Sequence, residues 1–189
     1  MRPPIILVGM PGSGKSTIGR RLAARLGLDF VDADRELEAR SGVSIATIFE
    51  IEGEAGFRDR EARLLVELCA RNDVVIATGG GVVLREENRR VLAERGQVVY
   101  LEASIAELWS RLRHDRKRPL LQHGDAREKL TQLLRDRAPL YESVADLTMR
   151  GQRQSMERFT ADIVLALAGP AAVVGPAPTG LDHPGTDHA

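Results

Sequence analysis

A chain of 189 residues, 43% hydrophobic and 29% charged, has the composition of one globular domain with a sizeable core. Its 27 basic residues balance 27 acidic ones, which excludes bulk attraction to nucleic acid or to an anionic membrane. One cysteine, Cys69, excludes a disulfide framework. With no apolar run of signal-peptide or membrane-spanning length, the cytoplasm is the expected location.

The first element predicted is a buried parallel strand, Ile5–Val8, which runs directly into Gly9-x-x-x-x-Gly14-Lys15-Ser16. Glycines at 9, 12 and 14 let the backbone fold back and present bare N–H groups to phosphate oxygens. Ile18, Leu22 and Leu26 recur at helical spacing, so a helix begins near Lys15 and closes at Gly27. Its N-terminus adds partial positive charge where an anion would sit. Gly12, Ser13, Gly14, Lys15, Ser16 and Thr17 form the expected cradle for a nucleoside triphosphate. Lys15 reaches the β and γ phosphates, and the Ser16 hydroxyl ligates Mg²⁺. Only three basic residues are lysines (Lys15, Lys117, Lys129), leaving 24 arginines, so a lysine match says more than an arginine match.

A second strand is expected over 28–31, followed by Asp32-Ala33-Asp34 at the sheet edge where ligands of open α/β sheets bind. Strand periodicity would turn both carboxylates to one side. The competing reading is that one of them, Asp34 in particular, caps the helix over 35–40. Residues 44–70 carry two helical stretches separated near Gly53 and Gly56, with Phe57-Arg58 opening the second. Cys69 falls in an apolar helical run and reads as packing.

Val74–Ala77 is the third strand, ending in Thr78-Gly79-Gly80-Gly81, which again leaves backbone N–H groups uncovered at the ligand edge. A helix over 86–93 and a strand over 97–101 follow. Ser104-Ile105-Ala106-Glu107 is a capping box that opens the next helix. The basic run from Arg111 to Asp125 has no interleaved aromatics, so it reads as a phosphate-covering lid, not a nucleic-acid patch. Leu130, Leu133, Leu134 and Arg137 mark a helix toward Tyr141. A short fifth strand is expected over 145–149, and Ser155 caps a last helix ending near Ala168. Residues 169–189 hold four prolines and four glycines without periodicity and read as a disordered tail. His183 and His188 there lack metal-ligand spacing.

The P-loop, Asp32-x-Asp34, Phe57-Arg58, Gly79-Gly80-Gly81, Arg118-Pro119-Leu120-Leu121 and Arg137-x-Pro139-Leu140-Tyr141 occur in one order along residues 5 to about 168. As a set they resemble the shikimate kinases. The resemblance implies an α/β P-loop kinase fold: a five-stranded parallel sheet in the order 2-3-1-4-5, flanked by helices. It also implies a domain over 1–168, a mobile lid at about 112–125, and transfer of the ATP γ-phosphoryl group to the 3-hydroxyl of shikimate. On that resemblance Lys15, Asp34 and Arg118 are catalytic, and Asp32 holds Mg²⁺ through water beside Ser16. Arg58 and Arg137 clamp the shikimate carboxylate, while Asp34 and the Gly79, Gly80 and Gly81 backbone meet the hydroxyls. Arg111, Arg118 and Gln154 complete the ATP site. ATP and shikimate are the expected partners, with neither nucleic acid nor membrane, and a monomer is expected. Two alternatives compete: a gluconate or nucleoside-monophosphate kinase, which lacks this joint acceptor set, and an inactive nucleotide-binding relative, which would have lost Lys15, Asp34 or an arginine.

Overall fold

The computed structural model describes residues 1–113, 126–151 and 155–169. Five short strands form one parallel sheet in the order β2-β3-β1-β4-β5: β1 (Ile5–Val8), β2 (Asp29–Asp32), β3 (Val74–Ala77), β4 (Gln97–Glu102) and β5 (Leu147–Arg150). The central strand β1 pairs with β3 through Ile6 and Ile76, and with β4 through Ile6 and Val98. Alternate residues of β1 face opposite layers, and both layers are apolar, as expected for a parallel sheet covered on two faces.

On one face Ile5, Leu7, Val75, Val99 and Leu101 pack under Leu22 of α1 (Lys15–Leu26) and Ile163 of α7 (Met156–Leu167). On the other face Ile6, Val8, Ile76, Val98 and Tyr100 meet the remaining helices. These are α2 (Ala33–Ser41), α3 (Ile45–Cys69), α4 (Glu86–Arg95), α5 (Ile105–Leu112) and α6 (Ala126–Glu142). Among the described residues no helix is long and apolar enough to cross a membrane.

The expected elements are present, with boundary shifts that have local causes. Strand β2 starts one residue later than 28–31 because the Leu28 N–H closes the end of α1 on the Ala23 carbonyl, 2.9 Å away. The β5 strand covers 147–150, not 145–149. Asp146 is instead spent on β4: its N–H donates to the Val98 carbonyl and its carboxylate accepts from the Val98 N–H at 2.7 Å. The two helical stretches of 44–70 are one element broken at Gly53 (φ 69°, ψ −176°), a conformation for which glycine is the natural residue. Arg60 bridges that break, gripping both oxygens of Glu52 at 2.7 and 2.8 Å. The capping box of Ser104 and Glu107 forms as expected. Apart from Leu112, Arg113 and Gly169, the expected lid and tail lie outside the described residues.

Leu22 has no exposed surface, whereas Leu165 on α7 is 70% exposed. Truncating a buried leucine to alanine typically costs about 2–5 kcal/mol, and a chain of this size loses roughly 2–4 °C of melting temperature per kcal/mol. Leu22→Ala should therefore melt at least about 4 °C lower, and Leu165→Ala should stay within about 2 °C of the parent. Thermal melts of the two variants check this.

Candidate active site

The P-loop leaves β1 at Gly9 (φ 143°), and its shape depends on the missing side chain. A Cβ at Gly9 would lie 2.7 Å from the Leu101 carbonyl oxygen of β4, in a backbone region that other residues rarely adopt. The loop then delivers the N-terminus of α1, whose first turn carries no acidic residue and no side-chain cap. Its orphan N–H groups and partial positive charge therefore face the loop interior. Lys15 is buried, with its Nζ donating to the Gly9 and Met10 carbonyls at 2.8 and 2.9 Å. The Ser13 hydroxyl is buried without a hydrogen-bond partner among the described residues. Ser16 is half-buried and Thr17 exposed.

Arg111 at the end of α5 donates to the Gly12 carbonyl at 2.9 Å. It shares one groove with Ser13, Ile18, Met156 and Phe159, between the P-loop and α7. The expected nucleotide residues Gly12 through Thr17 and Arg111 are thus brought together. Arg118 and Gln154 lie outside the described residues.

A second constellation surrounds Gly79-Gly80-Gly81. Strand β3 ends where Thr78 donates through both N–H and Oγ1 to the Leu7 carbonyl, so this loop emerges beside the P-loop. Contact between the two loops is direct: a Cβ on Gly80 would sit 2.6 Å from the Pro11 ring. A Cβ on Gly79 would lie 2.8 Å from Asp34 Oδ1 and 2.9 Å from Glu61 Oε1. The Arg58 guanidinium lies flat against Gly81. Arg137 Nη1 donates to the Gly80 carbonyl at 3.2 Å, and so does the Tyr141 hydroxyl at 2.5 Å. Asp34, Arg58 and Arg137, from three different helices, therefore converge on the triple-glycine loop.

The two aspartates differ from expectation. Asp32, and not Asp34, caps α2, its Oδ1 accepting the Arg35 N–H at 3.3 Å. Asp34 lies in the first helical turn, so strand alternation does not set its direction. Helical rotation from Asp32 carries it to Gly79.

Glu61 is a residue that the sequence reading missed. It is 7% exposed, and its Oε2 accepts from Arg58 Nη1 at 2.6 Å. Its Oε1 has no partner among the described residues. The two residues are three apart on α3, a spacing that places them together on a helix. That signal is drowned by a segment rich in both charges, from Glu52 to Arg63. Cys69 behaves as packing: burial pushes its thiol up to about 12, far from a reactive thiolate.

Burial raises the Glu61 pKa above its ordinary 4.5. The charge and hydrogen bond of Arg58 pull it down, nearby Asp34 pushes it up, and Arg137 pulls it down. A carboxyl raised in the folded state favours folding while neutral and penalises it as pH rises through 4.5 toward the folded value. Glu61→Gln is neutral at every pH. Its melting temperature relative to the parent should therefore move in the variant's favour as pH rises above 4.5. Melts across pH check this, and a pH-independent difference would contradict it.

Comparison with known proteins agrees with this geometry. The sequence profile of the family described as shikimate kinase matches residues 11–168. A shikimate kinase of Chromobacterium violaceum is 51% identical over 158 residues, covering 84% of this chain and 86% of that protein. A shikimate kinase of Bordetella avium is 58% identical over 146 residues, covering 77% of this chain and 70% of that protein. The solved shikimate kinase of Acinetobacter baumannii in complex with shikimate superposes with a TM-score of 0.86 at 42% identity, covering 91% of this chain and 97% of that one. With the P-loop and the sheet order in agreement, the chain belongs to the shikimate kinase family.

Proposed function

We propose that this chain transfers the γ-phosphoryl group of ATP to the 3-hydroxyl of shikimate, with Mg²⁺, as a cytoplasmic monomer. The observation that carries the reading is the contact between the P-loop and the triple-glycine loop, with Asp34, Arg58 and Arg137 gathered on the latter. Phosphoryl transfer asks little covalent chemistry of a protein; it asks for alignment and neutralised charge.

On the donor side Lys15 exchanges its Gly9 and Met10 carbonyl partners for β and γ phosphate oxygens, while the first-turn N–H groups of α1 hold the phosphates. The residues present fit Mg²⁺: a serine hydroxyl at the helix start and one carboxylate are hard oxygen donors. An ion bound largely through phosphate and water needs no more from the protein. Ser16 would ligate it, and Asp32 would hold it through water with the oxygen not engaged by the Arg35 N–H. Bound there, Mg²⁺ would neutralise charge on the transferring phosphates. Arg111 flanks the adenine together with Gln154, and Arg118 supplies a further cation to the phosphates.

On the acceptor side the Arg58 and Arg137 forks match a carboxylate, and Glu61 holds Arg58 in place. Asp34 accepts from the substrate hydroxyls and orients the attacking oxygen. The Gly79, Gly80 and Gly81 backbone would offer an N–H to a ring hydroxyl.

Arg58→Ala and Arg137→Ala should each raise KM for shikimate by about 30-fold or more, the loss of roughly 2 kcal/mol or more expected of a desolvated charged pair. KM for ATP should stay within about threefold, because neither residue faces the P-loop phosphates. Arg58→Ala also strands the buried Glu61 carboxylate and should melt lower than Arg137→Ala. Steady-state kinetics check this; an unchanged shikimate KM in both variants overturns the assignment.

A further inference from the structure

Tyr141 has no exposed surface and lies four residues after Arg137 on α6, so the two side chains leave the same helix face. Both donate to one atom, the Gly80 carbonyl oxygen: Tyr141 at 2.5 Å and Arg137 at 3.2 Å. The Tyr141 ring stacks on Tyr100 of β4 with centroids 5.1 Å apart, and its hydroxyl lies 3.8 Å from the Met10 sulfur at the start of the P-loop. A phenol anchored against the sheet thus holds the middle of the triple-glycine loop from below.

A carbonyl oxygen accepts two hydrogen bonds, and here both come from side chains of α6. We propose that Tyr141 is a positioning residue for the acceptor: its bond fixes the Gly80 carbonyl, and with it the point on which the Arg137 guanidinium is held for the acceptor's carboxylate. The inference rests on the reading of Arg137 as part of the carboxylate clamp. Without the hydroxyl, Arg137 is the remaining side-chain donor on a carbonyl that is no longer held, and its fork shifts with the loop. The peptide between Gly80 and Gly81 has little intrinsic preference to resist such a shift, since glycine lies on both sides. Burial also pushes the Tyr141 phenol up to about 12, so it remains a neutral donor at the pH of the assay.

Tyr141→Phe keeps the ring and its stack and removes only the hydroxyl, with its bonds to the Gly80 carbonyl and to Arg137. It should raise KM for shikimate about tenfold, the scale of one hydrogen bond, with kcat changed less and KM for ATP within about twofold. Tyr100→Phe is the control, since it removes a phenol from the same stack without a contact to Gly80. Its shikimate KM should match the parent. Combined with Arg137→Ala, Tyr141→Phe should raise shikimate KM by much less than its single effect, because the two act through one interaction.

Four results overturn the proposal. If Arg137→Ala raises shikimate KM and Tyr141→Phe does not, the clamp stands and the proposal fails. If Arg137→Ala leaves KM unchanged, the clamp fails and the proposal with it. Multiplicative effects in the double variant show that Tyr141 does not act through Arg137. Equal changes in Tyr100→Phe and Tyr141→Phe, extending to ATP, show a purely structural role.

Discussion

The van der Waals contact between Pro11 and Gly80 is the constraint on which the rest of the site depends. Strands β1 and β3 are neighbours in the sheet, so the loops leaving their C-terminal ends must lie side by side. The P-loop projects a proline ring toward β3, and the glycine opposite has no Cβ to hold it off. The P-loop and the triple-glycine loop, the proposed phosphate cradle and acceptor platform, are thereby brought within one contact of each other. No hinge or added domain is needed to bring the two half-sites together.

Around that contact the acceptor side keeps its charges in mutual balance. Arg58 and Glu61 are both largely withdrawn from water, and each would be costly alone. Paired at 2.6 Å, they leave a guanidinium held flat on Gly81, with its position set before any ligand arrives. Arg137 is held from the other side through the Gly80 carbonyl. The two planar cations are therefore preorganised, Arg58 by the Glu61 and Glu54 carboxylates and Arg137 by a backbone oxygen. Ordering them during binding would otherwise consume part of the affinity.

Much of this was legible in the sequence, unevenly and for physical reasons. The P-loop is local: its strand, glycines and helix start are contiguous, so the residues between 9 and 17 specify their own geometry. The sheet order came from resemblance, because periodicity identifies strands without saying which strands are neighbours. Asp34 was found but wrongly oriented, since alternation applies only while the strand continues and Asp32 ends it by capping α2. Glu61 was hidden because an Arg–Glu pair in a helix crowded with both charges is ordinary until burial singles it out. Tyr141 sat within a quoted motif without a role, because its partner is a backbone carbonyl distant in the chain.

Selection of shikimate rests on this proposed acceptor platform. The most direct measurement is ADP release by the purified chain with ATP and Mg²⁺, offered shikimate, gluconate and nucleoside monophosphates in parallel. Turnover is expected with shikimate and little above background with the others, because only shikimate presents a carboxylate and ring hydroxyls in the arrangement the arginines and Asp34 would receive. Faster turnover with gluconate or a nucleoside monophosphate would contradict it.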